Sequence, residues 1–368
     1  MKTSRFKSPS SKRRELLTDS NLLFLIAVCI FVFLYLFAIL VFGGGFRTFQ
    51  QFFNLLNNNA ALIILACGLS IVMVAGGIDI SVGGVTALVT TACASFLDSP
   101  GGSVWGSILI ALGIGLAFGF VQGFLVSYLN IQPFIITLAG MFFARGMATV
   151  ISVNPLRVEN ADLVNLVNSK LEIEFLGRYA PNGNLIPLTI GPGVMVAVVV
   201  VIIVAAVMKW LKFGRNLYAV GGNRQSAMML GINIRRTKLF SHVVCGLFAG
   251  IAGFVYILNT GSGSATNAAF FEMKAIAASI IGGTMLTGGV GNIIGSPVGV
   301  MTLMTIDDLV VASGLNTNRP YMQTITTGAM LCLAILLQSI VLSRRSKGFK
   351  LEIPRWLKLR AMRDIEKE

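Results

Sequence analysis

The sequence predicts an all-α polytopic membrane protein with about ten transmembrane helices. Three observations carry this. Of the 368 residues, 55% are hydrophobic and 12% charged, with a mean hydropathy of +0.81, whereas a soluble domain carries about 25% charged residues. The apolar residues gather into ten stretches close to the ~20 residues that cross a bilayer. The basic residues collect on one predicted face, as cytoplasmic loops do. This composition excludes a soluble globular enzyme, a disordered chain and a disulfide scaffold.

The chain opens on a polar, basic segment, 1–20, with Lys2, Arg5, Lys7, Lys12, Arg13 and Arg14. The apolar run at 21–42 is longer than a signal-peptide core and lacks a small-x-small cleavage pattern, so it reads as an uncleaved span with its N-terminus inside. The stretch 43–59 reads as a short external amphipathic helix. Further apolar stretches lie at 60–76, 80–97, 104–128, 133–152, 191–210, 239–259, 273–286, 293–312 and 321–342. Ten spans put both termini on one side. With cytoplasmic termini, the inside segments 1–20, 209–238 and 343–368 hold six, seven and nine of the 29 Lys and Arg residues. The net charge of +14 is therefore a topology signal rather than a nucleic-acid footprint, and the basic tail is also suited to anionic lipid headgroups. The organisation expected is a cytoplasmic tail over 1–20, a transmembrane domain over 21–343 and a basic cytoplasmic tail over 344–368. Within the domain, 212–238 is an inside loop. The outside loop, 154–190, is long enough for a small cap.

Catalytic and metal sets are absent from the sequence. There is no G-x-x-x-x-G-K-[ST] phosphate loop, and one histidine cannot build a metal cluster. Cys29, Cys67, Cys93, Cys245 and Cys332 all fall in apolar stretches without C-x-x-C spacing, and read as small buried hydrophobes. His242 reads as a packing histidine before a proton relay. Asp307 and Asp308 sit near the outer end of a span, and Arg145 is expected to snorkel or to pair inside.

Three constellations remain. In Gly76-Gly77-Ile78-Asp79-Ile80-Ser81-Val82-Gly83-Gly84, glycines permit unwinding or close packing between two apolar stretches. Two readings of it are open: Asp79 or Ser81 caps the next helix, or they line a substrate path. The second, Gly282-Gly283-Thr284-Met285-Leu286-Thr287-Gly288-Gly289, echoes the first 206 residues later (282 − 76). Glycine ladders follow each echo, Gly115, Gly119 and Gly123, then Gly291, Gly295 and Gly299, at spacings that let helix backbones approach. Paired, glycine-interrupted segments point to a two-half repeat and a transport path. The third is the inside loop around Gly221-Gly222-Asn223-Arg224 and Gly231-Ile232-Asn233, where glycines bracket a short helix over 225–230.

Taken in order with Ile131-Gln132-Pro133-Phe134 through Met141 and with Ala275-Ile276-Ala277-Ala278, these motifs resemble the permease subunits of ATP-binding cassette sugar importers. That family includes ribose, arabinose, xylose and galactofuranose systems, and the 135–146 stretch is most similar to a galactofuranose-type permease. The resemblance covers about 20–343. It implies a multi-pass subunit of the bacterial cytoplasmic membrane that moves a pentose or hexose by alternating access. It also implies a second permease, a cytoplasmic ATPase docked on the 221–233 loop, an extracytoplasmic sugar-binding protein, and ATP and Mg on the ATPase, with no cofactor in this chain. Asp79, Ser81, Gln132, Phe134, Thr284 and Thr287 are the expected path or gate residues. Two positions depart from the family pattern: Arg224-Gln225 stand where Glu-Ala is usual, and Lys274 stands where an acid is usual. A permease of branched-chain amino-acid importers is the nearest alternative, and an ion-driven secondary transporter the next.

Overall fold

The computed structural model describes residues 9–179, 185–314 and 321–345. The expected N-terminal tail up to residue 8, most of the basic C-terminal tail and Arg319 lie outside the described residues. A helix occupies every one of the ten apolar stretches: α1 (Pro9–Phe42), α2 (Phe49–Val74), α3 (Val82–Leu97), α4 (Val104–Tyr128), α5 (Pro133–Ile151), α7 (Pro192–Trp210), α10 (Ile234–Thr260), α11 (Phe271–Ile281), α12 (Gly295–Ala312) and α13 (Met322–Arg345). Among the described residues, seven helices are long and apolar enough to cross a bilayer. Three of the ten stretches lie outside that set: α3 has 16 residues and α11 has 11, too few for a full span, while α13 runs for 24. Gly282-Gly283 ends α11, whereas α3 carries its glycine pair in its first turn and ends at Asp98.

One boundary differs from the sequence reading. The residues of 43–59 do not form a separate amphipathic helix. A 3-10 turn at Gly44–Arg47 leads to Thr48, which caps α2 by accepting from Gln51 N–H, and α2 then runs unbroken to Val74. Its polar first turns are used internally. Gln50 accepts from Thr189 N–H at 2.9 Å, and Asn57 accepts from Gly191 N–H at 2.8 Å while donating to the Thr189 carbonyl.

The core is α2, which is apolar all round and buried from Ala60 to Val74, as a central helix must be. Around it stand α10, α11, α12 and α7. The outer helices α1, α4, α5 and α7 leave large apolar side chains exposed, among them Phe33, Leu40, Phe120, Phe142 and Ile202. Such an outward apolar belt suits hydrocarbon rather than water. The glycine ladder of α4 lies on α10. Side chains at Gly119 and Gly123 would come within 2.6 Å of the His242 carbonyl and 2.8 Å of the Leu239 carbonyl, and one at Gly115 would overlap Gly246. In the second half, Gly295 and Gly299 lie against the Gly282 and Ala278 backbone of α11, and Gly291 lies against Val74 and Thr284.

The long polar loop folds into a small cap. It comprises β1 (Leu156–Arg157), α6 (Ala161–Asn168) and a hairpin of β2 (Leu171–Tyr179) and β3 (Leu185–Ile190). β1 pairs antiparallel with β4 (Ser262–Gly263), so the cap is tied to the end of α10. At the opposite end of the bundle, α7 leads through α8 (Lys212–Gly222) and α9 (Arg224–Met229) into α10.

Candidate functional site

After Val74 the chain turns at Gly76, whose φ of +75° favours glycine, and crosses back towards the bundle interior before α3 begins. Asp79 and Ser81 are brought together there and are nearly fully buried. The Asp79 Oδ1 accepts from the Ser81 backbone N–H at 2.9 Å and from the Ser81 hydroxyl at 2.6 Å. Ser81 stands at the N-cap position of α3 without capping it. Its Oγ also lies 3.0 Å from the Gln122 side chain of α4. The single proton of the hydroxyl faces two acceptors, Asp79 Oδ1 and the Gln122 amide oxygen, and the contact to Asp79 is the shorter. His242 of α10 lies behind, with Nδ1 3.6 Å from Asp79 Oδ2, within ion-pair range but beyond a hydrogen bond. A carboxylate at this depth is tolerable because these groups surround it. Sequence reasoning named Asp79 and Ser81 but not Gln122, and it set His242 apart. The packing of α4 on α10, through the glycine ladder, brings both to the same carboxylate.

The second break follows α11. Gly283 (φ +94°), Gly288 (+81°) and Gly289 (+72°) carry the chain back to α12. Thr284 is buried in this turn and Thr287 is exposed. The break meets the first one directly: Gly289 N–H donates to the Val74 carbonyl at 2.9 Å. A side chain at Gly288 would come within 2.8 Å of Gly76 Cα. The end of α8 enters the same joint. A side chain at Gly221 would overlap the Val74 carbonyl and come within 2.6 Å of Gly289 N, and one at Gly289 would overlap Gly222. Tyr218 of α8 donates to the Gly291 carbonyl at 2.9 Å. Burial pushes the Tyr218 phenol up, which keeps it a neutral donor. Three glycine pairs from three remote parts of the chain therefore share one point.

From that joint α9 projects outward. Asn223 caps it by accepting from Ser226 N–H at 2.9 Å, and Gly231 (φ +76°) ends it. Asn233 then caps α10 by accepting from Arg236 N–H at 3.0 Å, and Ile232 packs beneath on a small buried cluster with Val220, Ala227 and Ile234. Arg224 is exposed, as are Met228, Met229 and Leu230. Gln132 and Phe134 stand at exposed positions at the start of α5, with Gln132 at the N-cap and Pro133 at the first helical position. None of the hydrogen bonds of the Asp79 cluster reaches them.

Between the two ends, the segment 264–270 enters the bundle ahead of α11. An 11-residue helix is about 17 Å long, roughly half of a ~30 Å hydrocarbon core. The break that follows α11 leads into the α8 joint, and the segment before α11 follows β4 of the cap, so α11 covers only part of the distance between the two ends of the bundle. Irregular backbone there needs partners within the protein. Arg145 of α5 supplies them: its guanidinium donates to the carbonyls of Ala265 at 2.9 Å, Asn267 at 3.4 Å and Ala268 at 3.2 Å, and faces Glu272 at 3.9 Å. Lys274, one turn into α11, donates to Asp307 of α12 at 2.8 Å.

A protein family described as "Branched-chain amino acid transport system / permease component" matches residues 51–335. The chain belongs to that family. This permease is 32% identical to the fructose import permease protein FruG of Bifidobacterium longum over 87% of its own length and 91% of the relative's. It is 35% identical to the inner membrane ABC transporter permease protein YjfF of Escherichia coli over 86% and 92% of the two chains, and 30% identical to the ribose import permease protein RbsC of Escherichia coli over 80% and 87%. No solved structure matches it. The permease is thus a multi-pass transport subunit of the bacterial cytoplasmic membrane, and its outward apolar belt fits that setting.

Proposed function

We propose that this chain is the translocating subunit of an ATP-binding cassette importer that carries a monosaccharide, a pentose or hexose, into the cell. The observation that carries the reading is the similarity, over at least four-fifths of the chain, to permeases named for fructose and ribose import. The amino-acid alternative rests on the family's description alone, and among the relatives compared above those named for a substrate are named for sugars. The partners are a second permease of the same or similar sequence, a cytoplasmic ATPase that binds ATP and Mg, and an extracytoplasmic sugar-binding protein.

The joint at Gly221 suggests how the work of the ATPase reaches the membrane. α9 offers an exposed apolar face, with Met229 89% exposed, to a cytoplasmic partner. A push on α9 moves α8, and α8 bears on the main chain of both helix breaks at once. Closed-packed backbone without side chains transmits displacement with little slack. The two breaks carry Asp79 and Ser81 on one side and Thr284 and Thr287 on the other, the residues proposed for the path or gate. Uptake of labelled sugars by cells holding the chain with its ATPase and binding protein tests the reading. Import of a pentose or hexose that stops when the ATPase is deleted is expected. Import of L-leucine instead of sugar supports the amino-acid reading, and sugar uptake that survives loss of the ATPase supports an ion-driven transporter.

A further inference from the structure

A cleft of about 420 Å³ opens between the start of α11 and one face of α13. Phe270, Met273 and Lys274 line one wall, and Gln323, Thr324 and Thr327 the other. We infer that this cleft is a sugar-binding waypoint of the translocation path, recognising a neutral polyhydroxylated ligand. The inference rests on the importer reading above and adds the place where sugar is held.

The size falls in the range of small-molecule sites, which combine an apolar wall with a few directed polar groups. The apolar part is Phe270, 57% exposed on the cleft. Its φ of +63° is an outlier for a bulky residue, and the neighbouring Ala268 has φ +50°. Such strain persists only where surroundings over-determine it. Here Arg145 grips the carbonyls of Ala265, Asn267 and Ala268 and so fixes the turn that presents the ring. The polar part is Gln323, Thr324 and Thr327, grouped on one face of α13, together with the Lys274 ammonium. One ammonium N–H goes to Asp307 and two remain for a ligand. Asp307 already neutralises that charge, so the site gains little from an anion. A hydroxyl oxygen is the acceptor that fits. The second cleft of similar size, between α4 and α5, is lined by Phe118, Val121, Leu125 and Phe143 with Gln122 as its polar member, and offers a sugar far less.

Depth also fits. The cleft lies at the start of a helix that reaches only about halfway across the bilayer, where broken helices place substrate. A waypoint must hold weakly enough to release, and a few hydroxyl contacts with one aromatic wall meet that need.

The test uses the assembled importer in cells, with labelled D-ribose, D-xylose, L-arabinose, D-fructose, D-galactose and D-glucose as probes. Gln323→Met with Thr324→Val removes two polar groups at partly exposed positions and leaves the Lys274–Asp307 pair intact. The expected result is a KM for uptake raised about tenfold, with unchanged abundance and unchanged ATPase stimulation by the binding protein, because a site built for hydroxyls loses its directed contacts. Thr324→Trp, which fills the cleft, should abolish uptake while the complex still assembles. A wild-type KM in the first variant, or wild-type uptake in the second, overturns the waypoint and leaves the importer reading standing. A wild-type complex that imports none of the six sugars overturns both.

Discussion

Replacing Gly221 with alanine adds one methyl group where α8 touches both helix breaks. That methyl would overlap the Val74 carbonyl oxygen and lie 2.6 Å from Gly289 N and 3.0 Å from the Val74 carbonyl carbon. All three are main-chain atoms, so no rotamer change can relieve the contact. Overpacking of this kind costs about 1–3 kcal/mol. The added group also wedges apart the Gly289 N–H and Val74 carbonyl, now 2.9 Å apart, and an unmade buried hydrogen bond costs about 1–3 kcal/mol more. If the strain falls on the state with the joint closed, even ~2 kcal/mol shifts the closed–open balance about 30-fold, at ~1.4 kcal/mol per factor of ten. α9 is untouched, so the ATPase should still co-purify. Sugar uptake should fall about 30-fold or more while ATP hydrolysis no longer responds to the binding protein. Gly113→Ala is the control, since nothing lies within 4 Å of a side chain there, and it should change stability by no more than ~0.5 kcal/mol. Wild-type uptake by Gly221→Ala at normal abundance would refute the idea that motion passes through this joint.

Three further outcomes follow from the same geometry. Asp79→Asn keeps an acceptor for the Ser81 N–H but removes the charge facing His242, so uptake should drop while membrane abundance, read by immunoblot, holds; undiminished uptake would show that no charge is needed at 79. Gly231→Val forces a branched residue into φ +76°, and deletion of 224–230 removes α9 itself; either should abolish co-purification of the ATPase with insertion intact, and recovery of a full complex would contradict this. Lys274→Met strands the Asp307 carboxylate, 8% exposed, and should destabilise the protein by about 3–5 kcal/mol; the double variant with Asp307→Leu should recover most of the loss in a thermal-stability assay of the purified complex, and equal instability of the two would rule out the pair.

The helices were legible because the apolar stretches are long and their ends carry Gly, Pro or Asn. Pro133 and Pro192 open α5 and α7, and Gly261 in the left-handed region closes α10. The start of α2 was less legible. Gln50 and Asn57 look like a water-facing surface until the hairpin 130 or more residues away supplies their partners, while Asn54 accepts from Gln50 one turn back. The site divided in the same way. Asp79 and Ser81 stand out because a carboxylate beside paired glycines is unusual in an apolar chain. Gln122 and His242 lack any such local mark, and neither does Tyr218 announce its bond to Gly291. Arg145 and Lys274 were visible as charges in apolar surroundings, but their partners are a turn 120 residues on and a carboxylate on the next helix. Pattern in sequence reports what a residue needs; distance along the chain hides what satisfies it.

The joint of glycines also sets an order of events in biosynthesis. The Val74 carbonyl waits for Gly289, 215 residues downstream (289 − 74). At ~5–20 residues per second of synthesis, that is roughly 10–40 s during which the first helix break exists without its mate. α8, which reaches Val74 earlier in the chain, has no N–H to offer at Gly221 that replaces the one from Gly289. The amino-terminal half therefore enters the membrane with an open main-chain acceptor at its working end, and stays unfinished until translation has passed α11. A ribosome stalled between α8 and that point would leave a half-permease whose most vulnerable spot is the very place later used to move it.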